Sequence, residues 1–176
     1  MRALQRLFAA LLLSALPLVP ANAAAVNEEA AVKKAVLDLF SSWREANAAM
    51  GDAVLHKDFR LTSLREVYDG EDPALKGEAP FLATATREQM MAVYKGLKAG
   101  AWDDRLYGVA AQVDPTGHAN VWGRYRFTIN GKLTHCGAVS FQLYKMKAGW
   151  QITSFADTHF WTSESKNLAV CPDPSE

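Results

Sequence analysis

Asp157 and His159 stand two residues apart in segment 150–161, whose alternation reads as a β-strand, so both side chains leave the chain on one face. If that face turns inward, burial raises the carboxyl group toward the range of a useful base, and a histidine can relay or donate the proton. His135, in the strand-like segment 132–145, shares the phase of Leu133, Gly137, Val139, Phe141 and Leu143, the set expected to face the helices. Asp157, His135 and His159 are therefore the candidate catalytic residues. Each also has a structural reading: Asp157 as a strand-end acid bonded to backbone or to an arginine, His135 as a packed ring with bonded nitrogens, His159 as a structural or interface side chain. As metal ligands the three are of acceptable type but lack a recognised closed spacing, so no metal is expected. His56 and His118 fall at a helix end and in a turn. There is no glycine-rich phosphate loop, no Gly-x-Ser-x-Gly elbow and no reactive cysteine with a dedicated histidine, so nucleophilic hydrolysis has little support and no cofactor is expected.

These residues need a scaffold. Segments 119–130, 132–145 and 150–161, joined by Asn130-Gly131 and Lys147-Ala148-Gly149, form a curled antiparallel meander. In 119–130 the inward set is Val121, Gly123, Tyr125, Phe127 and Ile129. Trp122, Arg124 and Arg126 point outward, and with Tyr144 they can form a dimer surface, a solvated sheet face being the alternative. Upstream, Val32, Val36, Leu39, Phe40 and Trp43 recur at helical spacing within 28–49, with acids near the positive end of the helix dipole. Gly51 is expected to break this helix and Asp52 to cap a short second one through about Lys57, followed by a strand over 59–64. Residues 69–80, with Gly70, Pro73, Gly77 and Pro80, read as an exposed loop. Thr86, with Gln89 three residues on, starts a helix whose apolar side is Met90, Met91, Val93, Tyr94 and Leu97 and whose stop is Gly100. A strand over 105–113 then turns through Asp114-Pro115-Thr116-Gly117 into the meander.

The first residues read as an address. Arg2 and Arg6 precede an apolar run over 7–19, shorter than the roughly 20 residues of a membrane-spanning helix, and small residues at Ala21 and Ala23 suit cleavage after Ala23. A retained anchor is the alternative, opposed by Pro17 and Pro20, which shorten any helix there. The expected mature chain of 153 residues suits one domain over 24–161 with a tail over 162–176, located in a bacterial periplasm or secreted, with no membrane attachment once the leader is removed. The 19 basic and 19 acidic residues cancel, and without Arg2 and Arg6 the formal charge is −2; with no basic block, nucleic acid is not an expected partner. Cys136 and Cys171 are an even pair that an oxidising compartment permits to bond across 35 residues; two separate thiols, one packed as a small hydrophobe, are the alternative.

The succession of helix, Gly51-Asp52, short helix, Lys57-Asp58-Phe59 and a last strand opening Gly149-Trp150-Gln151-Ile152 resembles the nuclear-transport-factor-2-like superfamily, in particular its SnoaL-like secreted members of unassigned activity. The resemblance spans about residues 28–161. It implies an α+β fold, a cone-shaped curved antiparallel sheet wrapped around N-terminal helices (a cystatin-like α+β roll), a mouth that holds a small apolar ligand, and a homodimer. The catalytic groups of the superfamily's steroid-isomerase branch do not carry over: Trp43 or Arg44 stands where that branch has its oxyanion-binding tyrosine, Ser63 where it has its aspartate base, and Ala138 or Val139 where it has its neutral acid. Three function classes remain. The first is a binding module for a small hydrophobic molecule, with a cone lined by Trp43, Phe59, Tyr94, Tyr125, His135 and Phe141, each of whose aromatics can equally be ordinary core. The second is an acid–base enzyme (cyclase, isomerase or dehydratase), indicated by a buried carboxylate at Asp157 or Asp58 facing a cavity. The third is a dimeric assembly module with a filled cone.

Overall fold

A computed structural model describes residues 21–65, 80–162, 169 and 171–173. The expected leader over 1–23 lies outside them save for its last three positions, and of the expected loop over 69–80 only Pro80 is described. Among the described residues no helix is long and apolar enough to cross a membrane. The order of elements is α1 (Ala21–Arg44), α2 (Ala48–Val54), β1 (Leu55–Arg65), β2 (Phe81–Thr86), α3 (Arg87–Ala92), β3 (Trp102–Asp114), β4 (His118–Ile129), β5 (Lys132–Met146) and β6 (Gly149–Trp161). The strands make one six-stranded sheet in the order β2-β1-β6-β5-β4-β3. Only the β1–β6 pair is parallel.

The apolar stripe read along α1 is the face that packs on the sheet: Val32, Val36, Leu39, Phe40 and Trp43 are all buried. Phe40 anchors an aromatic cluster, its ring 5.1 Å from Trp43 and 6.0 Å from Phe141, with Phe141 in turn 4.8 Å from Phe155. Each such side chain contributes on the order of 1.5–3 kcal/mol by leaving water. At the far end of the sheet Glu28 accepts from Lys145 Nζ at 2.5 Å and Trp150 Nε1 at 2.8 Å, tying α1 to the β5–β6 hairpin. The turns follow their sequence signals. Asn130 and Gly131 both take positive φ (50° and 77°), as a two-residue hairpin loop requires.

Several of the expected helix boundaries are corrected. Gly51 does not break a helix; α1 ends at Arg44, Ala46 reverses the chain at φ 52°, and Asn47 caps α2, its side chain accepting from Met50 N at 3.1 Å. Gly51 lies inside α2 because a Cβ there would come 2.2 Å from Tyr94 Oη and 3.1 Å from Ser42 Oγ. Asp52 is not a cap but an ion-pair partner of Arg87, and the chain is already a strand by Leu55. The capping box of Thr86 and Gln89 forms as its spacing predicts, yet α3 stops at Ala92. Beyond it the hydrogen bonds tighten to three-residue steps, from Val93, Tyr94 and Lys95 back to Met90, Met91 and Ala92. Strand β2 was not foreseen: Phe-Leu-Ala-Thr-Ala-Thr on an exposed sheet edge carries little buried pattern to read.

Cys136 and Cys171 are joined in a disulfide with Cα atoms 5.2 Å apart. Closing a loop of this length contributes about 4 kcal/mol in the chain-entropy account. The bond holds the tail on the sheet face opposite the helices, where Pro172 is buried and its carbonyl accepts from Arg126 at 2.9 Å. Arg126, on the outer face, thus meets the chain's own residue 172.

Gly51→Ala is expected to destabilise the protein by about 1–3 kcal/mol in denaturant unfolding, because overpacking outweighs the helix propensity gained. Adding Tyr94→Phe removes the clashing hydroxyl and should recover part of that loss.

Candidate functional site

Between the inner face of the sheet, α1 and α3 lies a cavity of about 300 Å³, at the lower end of the range for small-molecule pockets. Its apolar wall includes Trp43, Leu61, Met90, Val93, Trp102, Phe127 and Phe155; its polar lining comprises Ser63, Arg65, Asp104, Thr134, His135, Asp157 and His159, with Tyr125 and Trp161 between. Asp157 and His159 share a face, as their spacing predicts, and a register shift of the β5–β6 pair between Gln142 and Leu143 turns that face to the cavity beside His135; Trp43 and Tyr125 join them. Three other expected lining residues do not. Phe59 and Phe141 are fully buried in the core, and Tyr94 is taken up by a 2.5 Å hydrogen bond with Ser42 beside Gly51. The alternative carboxylate Asp58 is exposed and paired with Lys57 at 2.5 Å, which lowers its pKa. Leu133 is also displaced from the inward set. The β4–β5 register slips between Phe127 and Thr128, so that Thr134 as well as His135 faces the cavity.

Tyr125 organises the acid side of the cavity. Its hydroxyl lies 3.1 Å from Asp157 Oδ2 and 3.0 Å from the Thr158 carbonyl, so one proton serves two acceptors. The phenol reaches them by crossing Gly137, where a Cβ would come 2.9 Å from the ring and 1.7 Å from Thr158 O. The β5–β6 ladder gives way at this point. Between the pairs Cys136–Phe160 and Val139–Asp157, Ala138 N donates to the Thr158 side-chain hydroxyl at 3.1 Å instead of to a carbonyl. Burial raises the Asp157 pKa, against the opposing effects of Ser63, Tyr125 and Arg65. Asp104, at the start of β3, is pushed well above the ordinary carboxyl range by burial first and then by the charges of Asp157 and Asp103. Asp104 Oδ1 and Asp157 Oδ1 both lack a hydrogen-bond partner. Tyr125 in turn is raised well above its usual value by burial and by the two carboxyls.

The histidines form the opposite wall. His135 and His159 stack with ring centres 3.4 Å apart and planes 23° apart, flanked by Phe127 at 4.7 Å from His135 and Trp161 at 4.5 Å from His159. Burial lowers His135 to about 2, with help from His159 and Arg65, and lowers His159 to about 4, with help from Arg65. Both rings are therefore neutral at physiological pH. Thr134 Oγ1 donates to Phe127 O at 2.9 Å, so at 3.2 Å it accepts from His135 Nδ1, which fixes that tautomer. Stacked face to face, the two rings form a flat neutral platform. His159 Nε2 is buried without a hydrogen-bond partner.

Asp104 and Arg65 were missed because the strands were read too short, from 105 and to 64, each one residue from a cavity residue. The alternation of Phe59, Leu61 and Ser63 carried one step on finds Arg65, whereas Asp104 takes the inward place only because the β3–β4 register shifts between Tyr107 and Ala110. Ser63, the position at which the family resemblance expects an acid, does line the cavity, and its register partner on β6 is Asp157. The carboxyl lacking on β1 is supplied by the adjacent strand.

Asp104→Asn tests the electrostatics. A carboxyl whose folded pKa is raised costs stability that is absent below the unfolded value of 3.8 and grows as pH rises toward the folded value. The variant is therefore expected to gain stability over the parent near about pH 8 and to match it near about pH 3 in denaturant unfolding.

No protein-family model matches this chain, and no curated protein matches it. Solved structures match its shape. A protein from Novosphingobium aromaticivorans described as nuclear-transport-factor-2-like with a cystatin-like fold aligns at a TM-score of 0.58 and 12% identity, over 87% of this chain and 94% of that one. A nuclear-transport-factor-2-like protein from Cytophaga hutchinsonii aligns at 0.55 and 13% identity, over 76% and 99%. A superfamily protein from Salmonella enterica aligns at 0.54 and 14%, over 77% and 92%. With its N-terminal helices lying against one curved six-stranded sheet, this chain has the cystatin-like α+β fold of the nuclear-transport-factor-2-like proteins.

Proposed function

We propose that the cone binds a small, largely apolar molecule carrying a hydrogen-bonding group, as expected of a SnoaL-like protein. The observation that carries this reading is the composition of the cavity: an aromatic and aliphatic wall into which buried, unpartnered polar atoms of Asp104, Asp157 and His159 converge. Such atoms are costly to bury unpaired, and a ligand that meets them recovers the cost. The disulfide suits an oxidising compartment and supports export. The outward Trp122 and Tyr144, 49% and 42% exposed, support a homodimer through the outer sheet face.

Acid–base catalysis is the second reading, favoured by Asp157. Its pKa is raised by burial, one oxygen is held by Tyr125 and the other is unpartnered beside the cavity, which is the arrangement of a carbon-acid base. Asp104, holding its proton more tightly, supplies the matching acid.

Titration with naphthol, a flat neutral probe, is expected to quench tryptophan fluorescence saturably, since Trp43, Trp102 and Trp161 line the cavity. Val93→Trp fills the space and should abolish the effect; quenching unchanged in that variant, shown folded by its melting curve, places binding elsewhere. For the second reading, deuterium exchange at the activated carbon of tetralone, followed by NMR, is expected to fall about 100-fold or more in Asp157→Asn. Exchange no faster with the parent protein than with buffer sinks the enzymatic reading and leaves the binding one standing.

A further inference from the structure

Arg65 is the last residue of β1, and its register partner on β6 is His159. Both side chains line the cavity, and both bring a buried nitrogen without a hydrogen-bond partner, Arg65 Nε and His159 Nε2. No ion pair of Arg65 with an acid occurs among the described residues. The nearest cavity carboxyl along the sheet is Asp157, whose partner Ser63 is two residues back on β1, a step of about 6–7 Å. Arg65 acts electrostatically on Asp157, lowering its pKa against the effect of burial. Burial favours the neutral forms of Asp104, Asp157, His135 and His159, and Tyr125 holds its proton. The planar fork of a guanidinium partly removed from water suits an oxyanion.

We propose that the molecule bound in this cavity is an aryl or alicyclic carboxylate, its anionic group held by Arg65 Nε and His159 Nε2 at one end of the cavity and its ring seated against Trp43, Trp102 and Phe155. This rests on the reading of the cone as a small-molecule site and adds the charge and orientation of the ligand. A cation would be repelled from the same position, and a neutral molecule would forgo the charge-assisted hydrogen bond. The neutral His159 ring takes part as an N–H donor through Nε2, which fixes the tautomer the bound anion selects.

The test compares three probes of one shape, naphthoate, naphthamide and naphthol, by calorimetric titration of the full chain, Arg65→Gln and Arg65→Lys. Naphthoate is expected to bind about tenfold or more tighter than naphthamide, from a charge-assisted hydrogen bond. Arg65→Gln should erase that preference while leaving naphthol within about threefold, and Arg65→Lys, which keeps charge but not the fork, should fall between. Equal or tighter binding of naphthamide overturns the proposal, as does an Arg65→Gln loss common to all three probes. Naphthol bound without a carboxylate preference overturns the anion site and leaves the cone a binding site. No binding of any probe overturns both.

Discussion

Tyr125 reaches Asp157 only because position 137 has no side chain. The phenol lies across that glycine in the space a Cβ would take, and its proton is shared between the carboxylate and the Thr158 carbonyl. For the carbonyl to meet it, β6 must leave the regular ladder, and the Thr158 hydroxyl restores the bond that Ala138 would otherwise lose. One missing methyl group thus lets the Tyr125 phenol and the Thr158 carbonyl meet, with the pairs Cys136–Phe160 and Val139–Asp157 in register on either side. The face that Asp157 and His159 present is set further along, where the β5–β6 register shifts between Gln142 and Leu143.

The interior is apolar in area and polar at chosen points. Two carboxyls, two imidazoles and a guanidinium share a volume about the size of a small ring system. Burial pushes the acids up and the histidines down, so each favours its neutral form, and several atoms have no partner. A core built for stability alone would replace them with aliphatic side chains. Their concentration in one cavity is what supports the proposed reading of it as a binding site.

Much of this was legible in the residues. The meander, the core stripe of α1 and the shared face of Asp157 and His159 follow from periods of two and 3.6, because burial on one side imposes those periods directly. Gly51 was misread because a glycine in a helix and a glycine ending one look alike in sequence; what distinguishes them is the hydroxyl of Tyr94, distant in the chain. Phe59 and Phe141 have the same pattern as Trp43, and only the curvature of the sheet decides which aromatics reach the cavity. Asp104 sits beside Asp103 at a strand end, where the inward and outward acid cannot be told apart without the register.

The parallel pairing of β1 with β6 has a consequence for how the chain assembles. β1 has two neighbours in the sheet, β2 beside it in sequence and β6 at the far end of the chain. Until the last strand is made, the first hairpin has nothing to dock against, while β3 to β6 can zip together through local turns. The wall carrying Ser63 and Arg65 is therefore closed by the longest-range contact in the sheet, and loop closure of that kind is slow. The disulfide to Cys171 lies beyond β6, so it can form only on a chain long enough to have completed the sheet, and it then acts as a latch on a finished fold.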